Sequence, residues 1–298
     1  MKRRQLVLGF IIVLNNFTFL EAQDPSNIYS FSFEKVDGEY QFSQAKFLNS
    51  YNEDAYNNQP SFTDTERILV TSKLRDSTQT DIQSLNLYTK EKYQVTDTPE
   101  SEYSPQLHSD GEHFTCVRVE MDGKTQHLYQ VPIDHSTQGK LLFPDVDNVG
   151  YYHWLDQYHV AMFLVDEPHS LAIGDIRDDN LEPITSNIGR GMGKAANGDL
   201  LYIQKLSERT WYIKRLNIDT KKSTIVTETL DGAEDFVVMA DGSILMAQGS
   251  VLFLYDPSTS NNEWIPIGDL KRFGLNNIHR LAYNGNQLLV LVDSLMED

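Results

Sequence analysis

Eight histidines, one cysteine and 43 carboxylates are what this 298-residue chain has for building a nucleophile, a general base or a metal centre, and their spacing builds none of them. The histidines are scattered, with no His-Glu-x-x-His pair to set two imidazoles on one helix face. Cys116 stands alone, which excludes a thiolate zinc site and an internal disulfide. No Gly-x-Ser-x-Gly elbow is present to hold a serine nucleophile on a strained turn. The run Gly189, Arg190, Gly191, Met192, Gly193, Lys194 looks like a phosphate loop, but Ile188 stands where that loop needs glycine and Ala195 where it needs Ser or Thr. Those glycines are expected to serve close packing of an inner strand instead. Neither a catalytic residue nor a resident cofactor or metal is assigned.

What remains is a set of polar side chains, each a few residues ahead of a tight turn: Asn58, Glu102, His153, Arg190, Glu234 and His279, with Tyr103, Tyr151, Tyr152 and Asp235 close by. Polar groups that converge beside aromatics suit the capture of a protein segment or a small polar ligand. For these residues to converge, the elements that carry them must be arranged around one axis.

The turns supply that arrangement. Asp64-Thr65, Asp110-Gly111, Asp156-Gln157, Asn197-Gly198, Asp241-Gly242 and Asn284-Gly285 follow one another at intervals of 41 to 46 residues. Asp-Gly and Asn-Gly tolerate the positive φ of a tight hairpin. Behind each turn lies a β-branched or apolar run, at residues 68–71, 113–119, 159–165, 200–204, 244–247 and 287–292. A second run follows in five of the units, at 82–87, 126–131, 170–175, 211–216 and 251–255, and shorter polar runs such as 93–95 and 223–226 come after. Four strands in about 44 residues make one propeller blade.

The sixth unit has two strands, and residues 27–33 copy the third-strand pattern of residues 81–87. With a turn at Asp37-Gly38 and a strand over residues 40–47, they supply the missing half. The expected fold is therefore all-β: a six-bladed β-propeller of four-stranded antiparallel blades, closed by N-terminal strands that complete the last blade. Such closure removes a sheet edge and ties the two ends of the ring together without a disulfide. A β-sandwich predicts neither the even spacing nor the N-terminal copy.

Lys2, Arg3 and Arg4 precede an apolar core over residues 6–14, and Ala22 precedes Gln23, the pattern of a secretory leader. Residues 1–22 are read as a signal peptide and 23–298 as a single propeller domain, periplasmic or secreted, with no transmembrane span in the mature chain. Against 25 Lys and Arg stand 43 Asp and Glu, a formal charge of −18. That field repels nucleic acid, keeps the chain soluble, makes anionic surfaces poor partners and favours cations or basic protein patches. The partner is expected to be a protein or a small polar ligand, and the chain a monomer.

Around the first two blades the residues resemble a known family. Asn58, Gln59, Pro60, Ser61, Phe62 and Thr63 lead into Asp64, and Glu102, Tyr103, Ser104, Pro105, Gln106 and Leu107 lead into Ser109, Asp110 and Gly111. This resembles the TolB-like, WD40-like propeller repeat, in which a Pro-Ser-Phe or Pro-Gln-Trp strand precedes a Ser-Pro-Asp-Gly turn. Leu107 stands where the family often has Trp, and His108 and Ser109 where it has Ser-Pro. The resemblance implies six blades and a binding role, not a reaction. A competing reading is a calcium-dependent hydrolase of the gluconolactonase or arylesterase kind, in which Glu, Asn and Asp hold a channel Ca2+ that activates the substrate oxygen. Residues 233–238 are similar to blades of those enzymes, and Asn277 could offer an amide oxygen.

Overall fold

In the computed structural model, which describes residues 24–134 and 137–293, the six turns close their hairpins in the same way. A side-chain oxygen of the Asp or Asn accepts backbone N–H groups two and three residues on. Asp110 Oδ1 takes those of Glu112 at 2.8 Å and His113 at 3.0 Å, and Asn284 Oδ1 those of Asn286 at 3.2 Å and Gln287 at 2.9 Å. Asp64 and Asp156 repeat the pair, while Asn197 and Asp241 make the first bond of it. The acceptor oxygen is the device common to all six turns. Glycine adds a positive φ in four of them, and Thr65 and Gln157 manage without it.

The hairpins build six four-stranded antiparallel sheets. Inner strands Asn57–Phe62, Ser101–Leu107, Val149–Trp154, Ile188–Lys194, Phe236–Val238 and Ile278–Tyr283 belong to blades one to six in that order. Apolar side chains between neighbouring blades form the core: Val117, Leu128, Tyr152 and Met162 pack blade two on blade three, and Ile203, Ile213, Phe236 and Met246 pack blade four on blade five. The glycines of the fourth inner strand act as expected. A Cβ on Gly191 would lie 2.5 Å from the Glu234 carbonyl oxygen, so the bare backbone is what lets blades four and five approach.

Blade six closes the ring as anticipated. Ser26–Val36 pairs antiparallel with Gln287–Asp293, with Ile28 opposite Leu291 and Phe31 opposite Leu288, and Glu39–Phe47 forms the outer edge. Ile28 packs with Leu48 and with Ile68 and Leu85 of the first blade, while Phe31 and Phe33 pack with Leu245 and Leu252 of the fifth and with Leu270 just beyond it. Burying each such side chain contributes about 1.5 to 3 kcal/mol. The leader assigned to residues 1–22 lies outside the described residues. Among the described residues, no helix is long and apolar enough to cross a membrane.

Candidate functional site

All six inner strands begin at one face of the ring, and five of them do not run as plain strands. Register shifts interrupt five of them, between Asn58 and Ser61, Tyr103 and Gln106, Val149 and Tyr151, Ile188 and Met192, and Ile278 and Arg280. Gln59 and Ser104 take positive φ values of 53° and 54° at equivalent places. Such a bulge re-aims the side chains around it. Gln59 is turned so that its Oε1 accepts Thr71 Oγ1 and the Ser104 N–H, both at 2.9 Å, joining blade one to blade two.

A cavity of about 510 Å³ opens on this face between blades one and four, walled by Tyr56, Gln59, Tyr103, Tyr151, Lys205 and Glu234 among others. A second, of about 270 Å³, lies between blades four and six against Asp235, Gln248, Asn277, His279 and Arg280. Arg190 and Glu234 line both.

Of the residues singled out from the sequence, Tyr103, Arg190 and Glu234 stand on the larger cavity and His279 on the smaller, where Arg190 and Glu234 meet it. Asn58, Glu102 and His153 are not among the residues lining either cavity. Asn58 is buried, and its Oδ1 accepts the Gln59 N–H at 2.7 Å. Glu102 is fully buried between blades one and two, taking Thr98 Oγ1 and, at 3.2 Å, Arg118 Nε. His153 keeps part of its surface open yet is enclosed by protein at longer range, and that burial, helped by Lys194, pushes its imidazole down to about 4. Gln59, Lys73, His169 and Lys205 line the larger cavity without having been singled out. A lysine at the end of a second strand carries no sequence signal for this role.

Charges at the cavities are anchored. Glu234 Oε1 accepts the Arg190 backbone N–H at 2.9 Å and Lys205 Nζ at 2.8 Å, while the Lys205 ammonium lies 4.3 Å from the Trp211 ring centroid. Asp235 Oδ1 accepts the Leu281 N–H at 3.0 Å, and its other oxygen is 3.7 Å from Arg280. Burial raises the Asp235 carboxyl against the opposing pull of Arg280, Arg190 and His279. Arg280 also lies over the Tyr151 ring at 5.6 Å. Among the described residues, no group of three or more His, Cys, Asp or Glu is placed to hold a metal ion. Cys116 is buried and its thiol is pushed far up by desolvation, which makes it a poor nucleophile. The arrangement can bind and orient a polar guest.

No family model matches the chain, and no curated protein matches it. Solved structures do. A putative TolB from Agrobacterium tumefaciens is 12% identical, with a TM-score of 0.68 over 92% of this chain and 99% of that one. TolB from Acinetobacter baumannii is 15% identical, with a TM-score of 0.61 over 81% of this chain, which spans 65% of that protein. An oligogalacturonate lyase in complex with manganese is 11% identical, with a TM-score of 0.57 over 89% and 86% of the two chains. At these identities the likeness is one of fold, and the fold is the TolB-like six-bladed β-propeller.

Proposed function

We propose that this chain is an exported, non-catalytic propeller, acting as a monomer in the periplasm or outside the cell, that captures a protein segment or small polar ligand where its inner strands begin. The observation that carries this reading is the larger cavity, where Tyr103 and Tyr151 face an anchored Arg190, Lys205 and Glu234 set. Aromatic walls with a few fixed polar groups are the make-up of a recognition site. The leader pattern read in residues 1–22 and the TolB structures among the neighbours support the reading. Under the calcium-dependent hydrolase reading Glu234, Asp235 and Asn277 on the smaller cavity would hold the ion, whereas the two carboxylates are engaged by Lys205 and by Arg280 and the Leu281 N–H. Affinity capture from the native envelope, repeated with a Tyr103→Ala, Lys205→Gln variant, tests the reading. The partner retained by the wild type is expected to be lost from the variant, and a partner retained equally by both would place recognition on another surface.

A further inference from the structure

The charges on the wall of the larger cavity are sorted by blade. Blade four brings Arg190 and Lys205 and blade one brings Lys73, while the Glu234 carboxylate takes up Lys205 at 2.8 Å and the Arg190 N–H at 2.9 Å. Lys73 and Arg190 are likewise engaged within the protein. Blade two brings Glu100 and Glu120, and no lysine or arginine of that blade is among the lining residues. Ser101 pairs with Val119 at the end of its two inner strands, so Glu100 and Glu120 follow one step beyond that pair. Like charges in such a place repel one another. Glu100 is half-buried and makes no hydrogen bond or ion pair with another described residue. Glu120 meets His127 at 3.0 Å and the Tyr129 hydroxyl at 3.2 Å, both through Oε1. The rest of this end of the cavity is largely apolar, with Tyr103, Val117, Val119, Phe163 and Val165 on its wall.

Resting on the binding role proposed above, we infer that the guest of the larger cavity is a small organic cation, a protonated amine on an apolar body, whose ammonium sits against Glu100 and Glu120. The ammonium donates to both carboxylates and lifts their repulsion, in charge-assisted bonds roughly twice as strong as neutral ones. The body packs on the valines and aromatic rings beside them. Three carboxylates and three cations line this cavity, so the sum of charge selects nothing; the cations stand on blades one and four and are engaged there, which leaves blade two as the acidic end. The field of the whole chain, at −18, draws a cation toward that end. A bare calcium ion is the poorer guest, since it takes about six to eight oxygen ligands and no group of three or more His, Cys, Asp or Glu among the described residues is placed to hold a metal. The volume of about 510 Å³ is that of a small-molecule site.

Ligand-observed NMR titration of the full chain at pH 7 with phenethylamine, phenethyl alcohol and phenylacetate tests this, because the three share an apolar body and differ in the charge of the end group. The amine is expected to bind about tenfold or more tighter than the alcohol, as a hydrogen bond to a charged group requires, and the carboxylate more weakly than either. Glu100→Gln and Glu120→Gln keep the shape of the wall and should each weaken the amine about tenfold while leaving the alcohol unchanged. Glu112→Gln, exposed at the far turn of the same blade, should change neither. Equal binding of the three compounds would overturn the cation and leave the cavity as a binding site. Amine binding that ignores both glutamine variants would overturn the place assigned to the ammonium. If none of the three binds, the organic cation is wrong, and the binding role falls with it only if the envelope partner is also retained equally by the Tyr103→Ala, Lys205→Gln variant.

Discussion

Asn57 and Ser26 hold each other across the seam where the N-terminal strand meets blade one: Asn57 Nδ2 donates to the Ser26 carbonyl at 3.1 Å, and Ser26 Oγ donates to the Asn57 carbonyl at 2.6 Å. The same Asn57 amide reaches the carbonyls of Asn52 at 2.8 Å and Ala55 at 2.9 Å, while its oxygen accepts Asn52 Nδ2 and Ser72 Oγ, each at 3.1 Å. Asn57 is fully buried. Truncating it strands several buried partners at once, each worth about 1 kcal/mol or more when unpaired. Asn57→Ala is therefore expected to lower stability by about 2 to 4 kcal/mol in urea unfolding. An unchanged midpoint would mean that the seam does not limit the stability of the ring.

Gly191 sets the spacing of blades four and five. An added methyl would meet a backbone oxygen at 2.5 Å and the side chains of Ile203 and Phe236 at 3.0 and 3.1 Å, none of which can swing away freely. Overpacking of this kind costs about 1 to 3 kcal/mol. At Gly198 a methyl meets open space, and the penalty is that of a φ of +90° alone. Gly191→Ala should also shift Glu234, the acceptor of the Arg190 N–H, so retention of the partner captured by the wild type should fall in that variant and not in Gly198→Ala. Equal effects of the two substitutions on binding would count against the coupling.

The ring itself was legible in the sequence because the capping oxygens of Asp64, Asp110, Asp156, Asn197, Asp241 and Asn284 mark the same hairpin in every blade, and because residues 27–33 repeat a third-strand pattern. The site was legible in part. Counting back from each turn gives Arg190, Glu234 and His279, which line the cavities, and Glu102, whose neighbour Tyr103 lines one in its place, because the alternation the count assumes is broken by the bulges. A slip of one residue sends a side chain to the other face, which is why Gln59 and not Asn58 lines the cavity, and Tyr103 lines it while Glu102 points between blades. Lys73, His169 and Lys205 come from other strands and loops, and no local pattern announces them.

Asp81 is nearly buried beside the first inter-blade link, and burial together with Asp97 raises its carboxyl to about 6. The folded chain then binds more protons than the unfolded chain between the ordinary carboxylate range and about pH 6, so stability falls as pH rises through that window. Above it the charged form is a standing penalty of about 1 to 2 kcal/mol, after allowance for solvent screening close to the protein surface. Asp81→Asn should be more stable than the wild type at pH 7.5 and no more stable at pH 4, by thermal or urea unfolding. A loss of stability at pH 7.5 would show that the carboxylate is needed in its charged form.

His153 works in the opposite sense within an overlapping window. Its imidazole, pushed down to about 4 by burial and Lys194, must take up a proton in the unfolded chain before it does so in the fold. Its contribution is complete above the ordinary histidine pKa of 6.5 and is lost as pH falls through about 4, by about 2 kcal/mol. His153→Gln should therefore flatten the acid limb of the stability profile, whereas Asp81→Asn should steepen it, since it removes the term that grows toward low pH. The two residues sit in blades three and one and are expected to act additively, so the double variant should show the sum of the two slope changes. A profile in which His153→Gln leaves the slope between pH 4 and 6.5 untouched would mean that channel water reaches the ring and holds its pKa near the ordinary value.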